Sequence, residues 1–473
     1  MVFSSLIFLC LFLPITLIWY MLSPTINAKN NALVVMSLIF YAWGEPVYVL
    51  LMLFSVFVNY FSALLIGGTE DAKKQKLYIT VCVVINLALL GFFKYTGWMV
   101  ANINAITGLA IPDPSITLPI GISFFTFQAM TYTIDVYRKE VAPQRSYRNL
   151  LMYVSLFPQL IAGPIVRYSQ IEAQVEDRRT TAKGAFYGLT RFAYGLGKKV
   201  LIANYCGSVA TQMLDGTLSQ STTVGVWLGI IMYTLQIYFD FAGYSDMAIG
   251  LGRIFGFKFA ENFDLPYTSK SITEFWRRWH ISLSSVFRDY VYIPLGGNRK
   301  HQTFNMFVVW SLTGLWHGAS WNFVLWGMYF FVLLFIEKKN KARIEKLPGI
   351  VRHLGTLLLI VFGWTLFYCT DLGRLGQTFG CMFGFVGTGF IDYSTRITLG
   401  NNITLLLLGI VASSALPRTI GNIFKSLCMR KNSSGIAKRV YVIALGTIDV
   451  ALIAASVISL IGSSYNPFLY FRF

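Results

Sequence analysis

Residues 303–336 read TFNMFVVWSLTGLWHGASWNFVLWGMYFFVLLFI. The run holds no Asp, Glu, Lys or Arg, yet Arg299-Lys300 precede it and Glu337-Lys338-Lys339 follow it. Basic residues at both ends mark both flanks as cytoplasmic by the positive-inside rule, so the chain enters and leaves on one side. A full crossing takes about 20 apolar residues, and two crossings do not fit well in this run. The pattern predicts a re-entrant hairpin, or a pair of short tilted helices, turning at Gly314-Leu315-Trp316-His317-Gly318-Ala319-Ser320. One imidazole, His317, then lies near mid-membrane among Trp316, Trp321, Phe323 and Trp326, with Asn322 as its strongly polar companion. An ionisable side chain at such depth is costly and points to function. A buried, neutral imidazole suits a general base. A structural histidine bonding a neighbouring helix is the alternative.

The rest of the chain agrees with a membrane setting. Its 473 residues carry 39 Lys plus Arg against 21 Asp plus Glu, a net charge of +18, and they are 55% apolar and only 13% charged. Soluble domains carry about 25% charged residues. This composition excludes a water-facing surface and also disorder, which needs low hydrophobicity. The cations are scattered between apolar runs as positive-inside loops, which speaks against a nucleic-acid partner and for the lipid bilayer. Residues 3–22 read as a retained span without a cleavage site. Residues 32–66 read as two spans broken at Gly44-Glu45-Pro46. Further apolar runs lie near 77–93, 117–136, 149–166, 185–206, 224–250, 353–370, 402–416 and 441–462. The expectation is an all-α, multi-pass protein of about 10–12 transmembrane helices plus re-entrant or interfacial helices, forming one domain over 1–473. Loop charge places Lys29, Lys73, Lys338–Lys346 and Arg430–Arg439 inside and the C-terminal tail outside. The six cysteines show no ligand spacing and read as small hydrophobes, and no metal site is expected.

Three more stretches bear on chemistry. Residues 271–290, SITEFWRRWHISLSSVFRDY, start with a capping box at Ser271 and Glu274 and read as one amphipathic helix, with Trp276 and Trp279 on the apolar face and Arg277, Arg278 and Arg288 on the other. His280 sits at the edge of the apolar face. It is either an interfacial anchor or, with Arg277 and Arg278, part of an entry for an anionic donor. Asp240 and Asp246, six residues apart, are about 120° from each other on a helix and do not form a carboxylate pair; an ion pair with Arg253 or Lys258 is expected. Gly250, Gly252 and Gly256 read as helix packing. The tail 466–473, NPFLYFRF, ends in aromatics after a helix-stopping proline. It is either an interfacial belt or a tail that carries a phenol into a cavity.

Taken together, LFPQLIAGPIVRY (156–168), the block from Asp240 through FWRRWH to Arg299, and LTGLWHGASWNFVLWG (312–327) resemble the membrane-bound O-acyltransferase family, in its bacterial alginate O-acetyltransferase-like branch. The resemblance covers essentially the whole chain. It implies a ring of helices around a funnel narrowing at a buried histidine, in a bacterial cytoplasmic membrane. It implies His317 as the catalytic residue, His280 as a second functional histidine, and Tyr470 as an acyl relay. Trp276, Arg277, Arg278, Trp316 and Asn322 become candidates for lining the funnel or binding the donor. The implied donor is an acyl thioester, acetyl-CoA above all, with no bound cofactor or metal. The implied partner is an extracytoplasmic SGNH-type transferase that acetylates a polysaccharide. A polysaccharide or lipid transporter is the competing reading. It draws on the span count and the intramembrane aspartates, but no internal repeat supports it.

Overall fold

The computed structural model describes residues 1–161, 163–429, 435–463 and 465–469. The described residues form helices of widely different length and no strands. Among the described residues, seven helices are long and apolar enough to cross a bilayer: Tyr48–Gly67, Ala72–Thr107, Thr223–Ile254, Trp321–Lys339, Gly349–Tyr368, Tyr393–Ser413 and Gly435–Gly462. The remaining apolar runs form shorter helices. The run at 149–166 is a nine-residue helix, Tyr147–Ser155, and a four-residue one, Phe157–Leu160, rather than one crossing. Pro158 within the second piece and Gly163 just beyond it interrupt the run. The break at 44–46 is as read, between Ile26–Ala42 and Tyr48–Gly67.

The described chain divides into two compact units, residues 1–192 with 247–260 and residues 193–246 with 261–473. In the first, polar side chains tie apolar helices together. Asn59 donates to Asn86 Oδ1 at 3.0 Å, and Thr133 donates to Asn59 Oδ1 at 2.8 Å, linking three helices inside the core. Arg178 is buried, donating to Asn30 at 2.7 Å and to the Phe255 carbonyl at 3.0 Å, with its guanidinium 4.3 Å from the Phe257 ring centre. Gly188 and Gly250 pack backbone to backbone. A Cβ on either would come within 2.5–2.6 Å of the other's carbonyl oxygen, the close approach that small residues permit.

The second unit carries the residues singled out above. Its hairpin is a pair of helices, Gln302–His317 and Trp321–Lys339, joined through Gly318, Ala319 and Ser320. Two glycines bring the pair together. A Cβ on Gly314 would run into the Phe323 carbonyl oxygen, and one on Gly327 into the Trp310 carbonyl oxygen. His317 is the last residue of the first helix, held at the turn by this contact.

The stretch 271–290 is not one helix. Ile272–Arg278 and Ile281–Phe287 are separated at His280, whose φ is +47°. A non-glycine residue in the left-handed region is sparsely populated and costs energy, so neighbouring contacts must hold it there. The capping box is present in part, with Glu274 N–H donating to Ser271 Oγ at 3.0 Å. The partners of the two aspartates also differ from the expectation. Lys198 pairs with Asp246 and Lys199 with Asp240, each at 2.6 Å. Arg253 instead has its guanidinium 5.8 Å from the Tyr187 ring centre. Both lysines belong to a π-helical segment, Lys198–Ala203, that approaches the helix Thr223–Ile254 at Gly243.

Candidate functional site

Two cavities meet at His317. The narrow one, about 30 Å³, is walled by Asp240, Phe241, Trp364, Phe367 and the tail residues Phe468 and Leu469. The larger, about 250 Å³, is lined by Trp276, Arg277, His280, Arg288, Trp310 and Thr313. His317 and Trp279 line both. The imidazole therefore stands where two compartments of different character adjoin. One is apolar with a buried carboxylate, and the other is wider with two guanidinium groups.

The His317 ring sits in an aromatic box. Its centroid is 5.0 Å from Trp316, 4.9 Å from Trp326 and 5.1 Å from Phe367, each edge-on. Rigid rings on three sides orient the imidazole without burying it fully. Trp316 touches both histidines, its ring centre 5.0 Å from that of His317 and 6.1 Å from that of His280.

His280 is buried, at 1% exposure, on the wall of the larger cavity. Its Nδ1 lies 3.1 Å from Asn262 Oδ1. That oxygen also accepts from Ser282 N at 3.3 Å and Ser282 Oγ at 2.9 Å, while Asn262 Nδ2 donates to Ser245 at 3.0 Å. A backbone N–H must meet an acceptor, so the amide orientation is fixed and His280 Nδ1 is the nitrogen that carries the proton. Nε2 then bears a lone pair and has no hydrogen-bond partner among the described residues. His280 lies outside the seven spanning helices, and burial pushes its pKa down to about 3, so it is neutral at ordinary pH.

The other expected residues separate clearly. Trp276 and Arg277 line the larger cavity. Arg278 points elsewhere and pairs with Glu274 at 2.9 Å and Asp264 at 3.9 Å. Asn322 is a strut at the hairpin turn, receiving the Ser320 hydroxyl and donating to the Leu366 carbonyl at 3.2 Å. Trp316 is buried and in ring contact with both imidazoles. Tyr470 lies outside the described residues, but Phe468 and Leu469, which precede it, line the narrow cavity. Sequence reasoning missed Arg288, Asn262 and Lys199. Arg288 was visible on the polar face of 271–290, whereas Asn262 and Lys199 are distant in sequence from the histidine and the tail they serve.

Comparison with known proteins follows the same residues. The sequence profile of MBOAT, the membrane-bound O-acyltransferase family, matches residues 121–372. The chain is 40% identical, over all of both chains, to a protein of Azotobacter vinelandii named probable alginate O-acetylase. It is 32% identical to the peptidoglycan O-acetyltransferase of Helicobacter pylori, over all of this chain and 98% of that one. It is 29% identical to the teichoic acid D-alanyltransferase of Bacillus subtilis, over 52% of this chain and 68% of the other.

Proposed function

The chain belongs to the membrane-bound O-acyltransferase family, and from that premise we propose that it moves an acetyl group from a cytoplasmic thioester to a polysaccharide outside the membrane. It is a multi-pass membrane O-acyltransferase. The observation that carries the finer reading is the meeting of two unlike cavities at one imidazole.

The larger cavity takes the donor, acetyl-CoA. Arg277 at its wall suits the donor's phosphates, since a guanidinium binds such oxygens with two parallel hydrogen bonds, and Arg288, whose Nε and Nη2 donate to Asp289, adds positive charge beside it. His280 offers its Nε2 lone pair to an N–H of the donor and holds it near the reacting centre. The narrow cavity takes the acceptor. His317 removes the proton of an acceptor hydroxyl as its oxygen attacks the thioester carbonyl. The new C–O bond forms, the C–S bond breaks, and the proton passes through His317 to the departing thiolate.

Tyr470 is the proposed first acceptor. A phenol has a pKa of about 10 and needs such a base. The acetyl ester then passes to the serine of an extracytoplasmic SGNH-type partner, which transfers it to the polysaccharide. Relatives named for alginate and for peptidoglycan support a polysaccharide as the final acceptor. The test is to incubate purified protein with acetyl-CoA labelled in the acetyl group and to count label retained after denaturation. Wild type is expected to carry label, and His317→Ala and Tyr470→Phe to carry none. Label that persists in Tyr470→Phe but not in His317→Ala removes the phenol and keeps the base. Label that persists in His317→Ala overturns the base.

A further inference from the structure

Lys199 and Asp240 differ from the neighbouring pair, Lys198 and Asp246, in one respect. The outer pair is 31% and 16% exposed, and the inner pair is 3% exposed on both sides. A buried ion pair is a poor source of stability, because desolvation offsets its attraction. Its remaining donor and acceptor capacity must also be met. Here the backbone of the C-terminal tail meets it. Lys199 Nζ donates to the Pro467 carbonyl oxygen, and the Leu469 N–H donates to Asp240 Oδ2 at 2.9 Å. Phe468, between these two points, has its ring centre 4.8 Å from that of Tyr244 and 5.9 Å from Lys199 Nζ. One residue earlier still, Asn466 accepts from Asn204 at 3.2 Å. The same tail segment walls the narrow cavity beside His317.

We propose that the Lys199–Asp240 pair is a backbone clamp that sets the register of the tail in the His317 cavity, which makes both residues positioning residues for acyl acceptance. This deepens the reading above and rests on the tail as bearer of the acceptor. The clamp takes one carbonyl and one N–H two residues apart, straddling a single aromatic side chain. A slip that brought Pro467 opposite Asp240 would leave the carboxylate without its donor, because proline has no N–H. The clamp acts one peptide away from Tyr470. The ion pair thereby converts an otherwise costly buried charge into a position along the chain.

The test uses the full-length protein in detergent, digested with carboxypeptidase Y and followed by intact-mass spectrometry. Wild type is expected to keep its tail through Leu469. The double variant Lys199→Met/Asp240→Leu removes both charges and keeps the bulk, and trimming past Asn466 should quicken about 10- to 100-fold, as expected for losing a charge-assisted hydrogen bond. Lys198→Met/Asp246→Leu should be trimmed like wild type. Leu469→Pro removes the N–H without touching the body of the protein and should release the tail, while Leu469→Ala should not. With labelled acetyl-CoA, the releasing variants should lose kcat and keep KM within about twofold, because the arginine-lined cavity is unchanged. Equal protection of Leu469→Pro and Leu469→Ala, or a wild-type tail trimmed as fast as that of the double variant, overturns the clamp. A released tail with unchanged labelling upholds the clamp and removes the tail from the acyl-acceptance step.

Discussion

The two histidines of the second unit have the same side chain and opposite settings. His280 is enclosed, its proton assigned by Asn262, and its backbone held in a left-handed conformation. His317 ends a helix, is flanked by the rings of Trp316, Trp326 and Phe367, is only partly buried, and borders two cavities. A proton carrier needs access to the groups it serves, and a positioning residue needs immobility. On the mechanism proposed above, that difference suits His317 to proton transfer and His280 to holding the donor.

The largest effect expected from breaking this contrast is at His317. His317→Ala should lower acetyl transfer about 10²- to 10⁴-fold, the range for loss of a general base. Its melting temperature should stay close to wild type. A variant that melts early while retaining its rate would reverse the two assignments. Asn262→Ala comes next. It deprives the His280 Nδ1 proton and two Ser282 donors of their acceptor, and about 1–3 kcal/mol of stability should be lost in denaturation. Acid sharpens the same point. The His280 pKa is depressed in the folded state, so the fold is unaffected above its ordinary value of 6.5. Stability is lost as pH falls from 6.5 toward about 3, because the unfolded chain binds the proton first. The slope of melting temperature against pH over this window should flatten in His280→Gln.

Smaller effects separate the arginines and lysines. Arg277→Gln and Arg288→Gln should each raise KM for acetyl-CoA several-fold with kcat nearly constant, as when binding is lost equally in ground and transition states. Arg278→Gln should leave KM unchanged, since that side chain faces Glu274 and Asp264. A KM effect confined to Arg278 would move the donor out of the larger cavity. The smallest change is expected for Lys198→Met, within about 0.5–1 kcal/mol of wild-type stability, because its pair with Asp246 is partly exposed.

Much of this was legible in the sequence, for identifiable reasons. The charge-free run 303–336 between cationic flanks foretold the paired helices, and Gly314 with His317 marked where they turn. Ser271 and Glu274 foretold a helix start. The break at His280 was not legible, because a left-handed residue inside an amphipathic pattern leaves the periodicity of either side intact. The partners of Asp240 and Asp246 were not legible either. Helical periodicity finds neighbours along one helix, whereas Lys198 and Lys199 approach from an earlier segment, 48 and 41 residues before their partners. Arg277 and Arg278 are adjacent and look alike in sequence, but the angular step of one residue on a helix sends one to the cavity and the other to an acidic pair.

The π-helical turn at Lys198–Ala203 has a further consequence. Such a turn accommodates one residue more than an α-helical turn, so everything after it is rotated by about 100° from where a regular helix would place it. A deletion of one codon there would restore the regular pitch and would alter no other letter of the gene. It would also turn either Lys199 or Asn204 away from the tail. The smallest possible length change in the coding sequence would thus cost the segment Asn466–Leu469 one of its side-chain contacts.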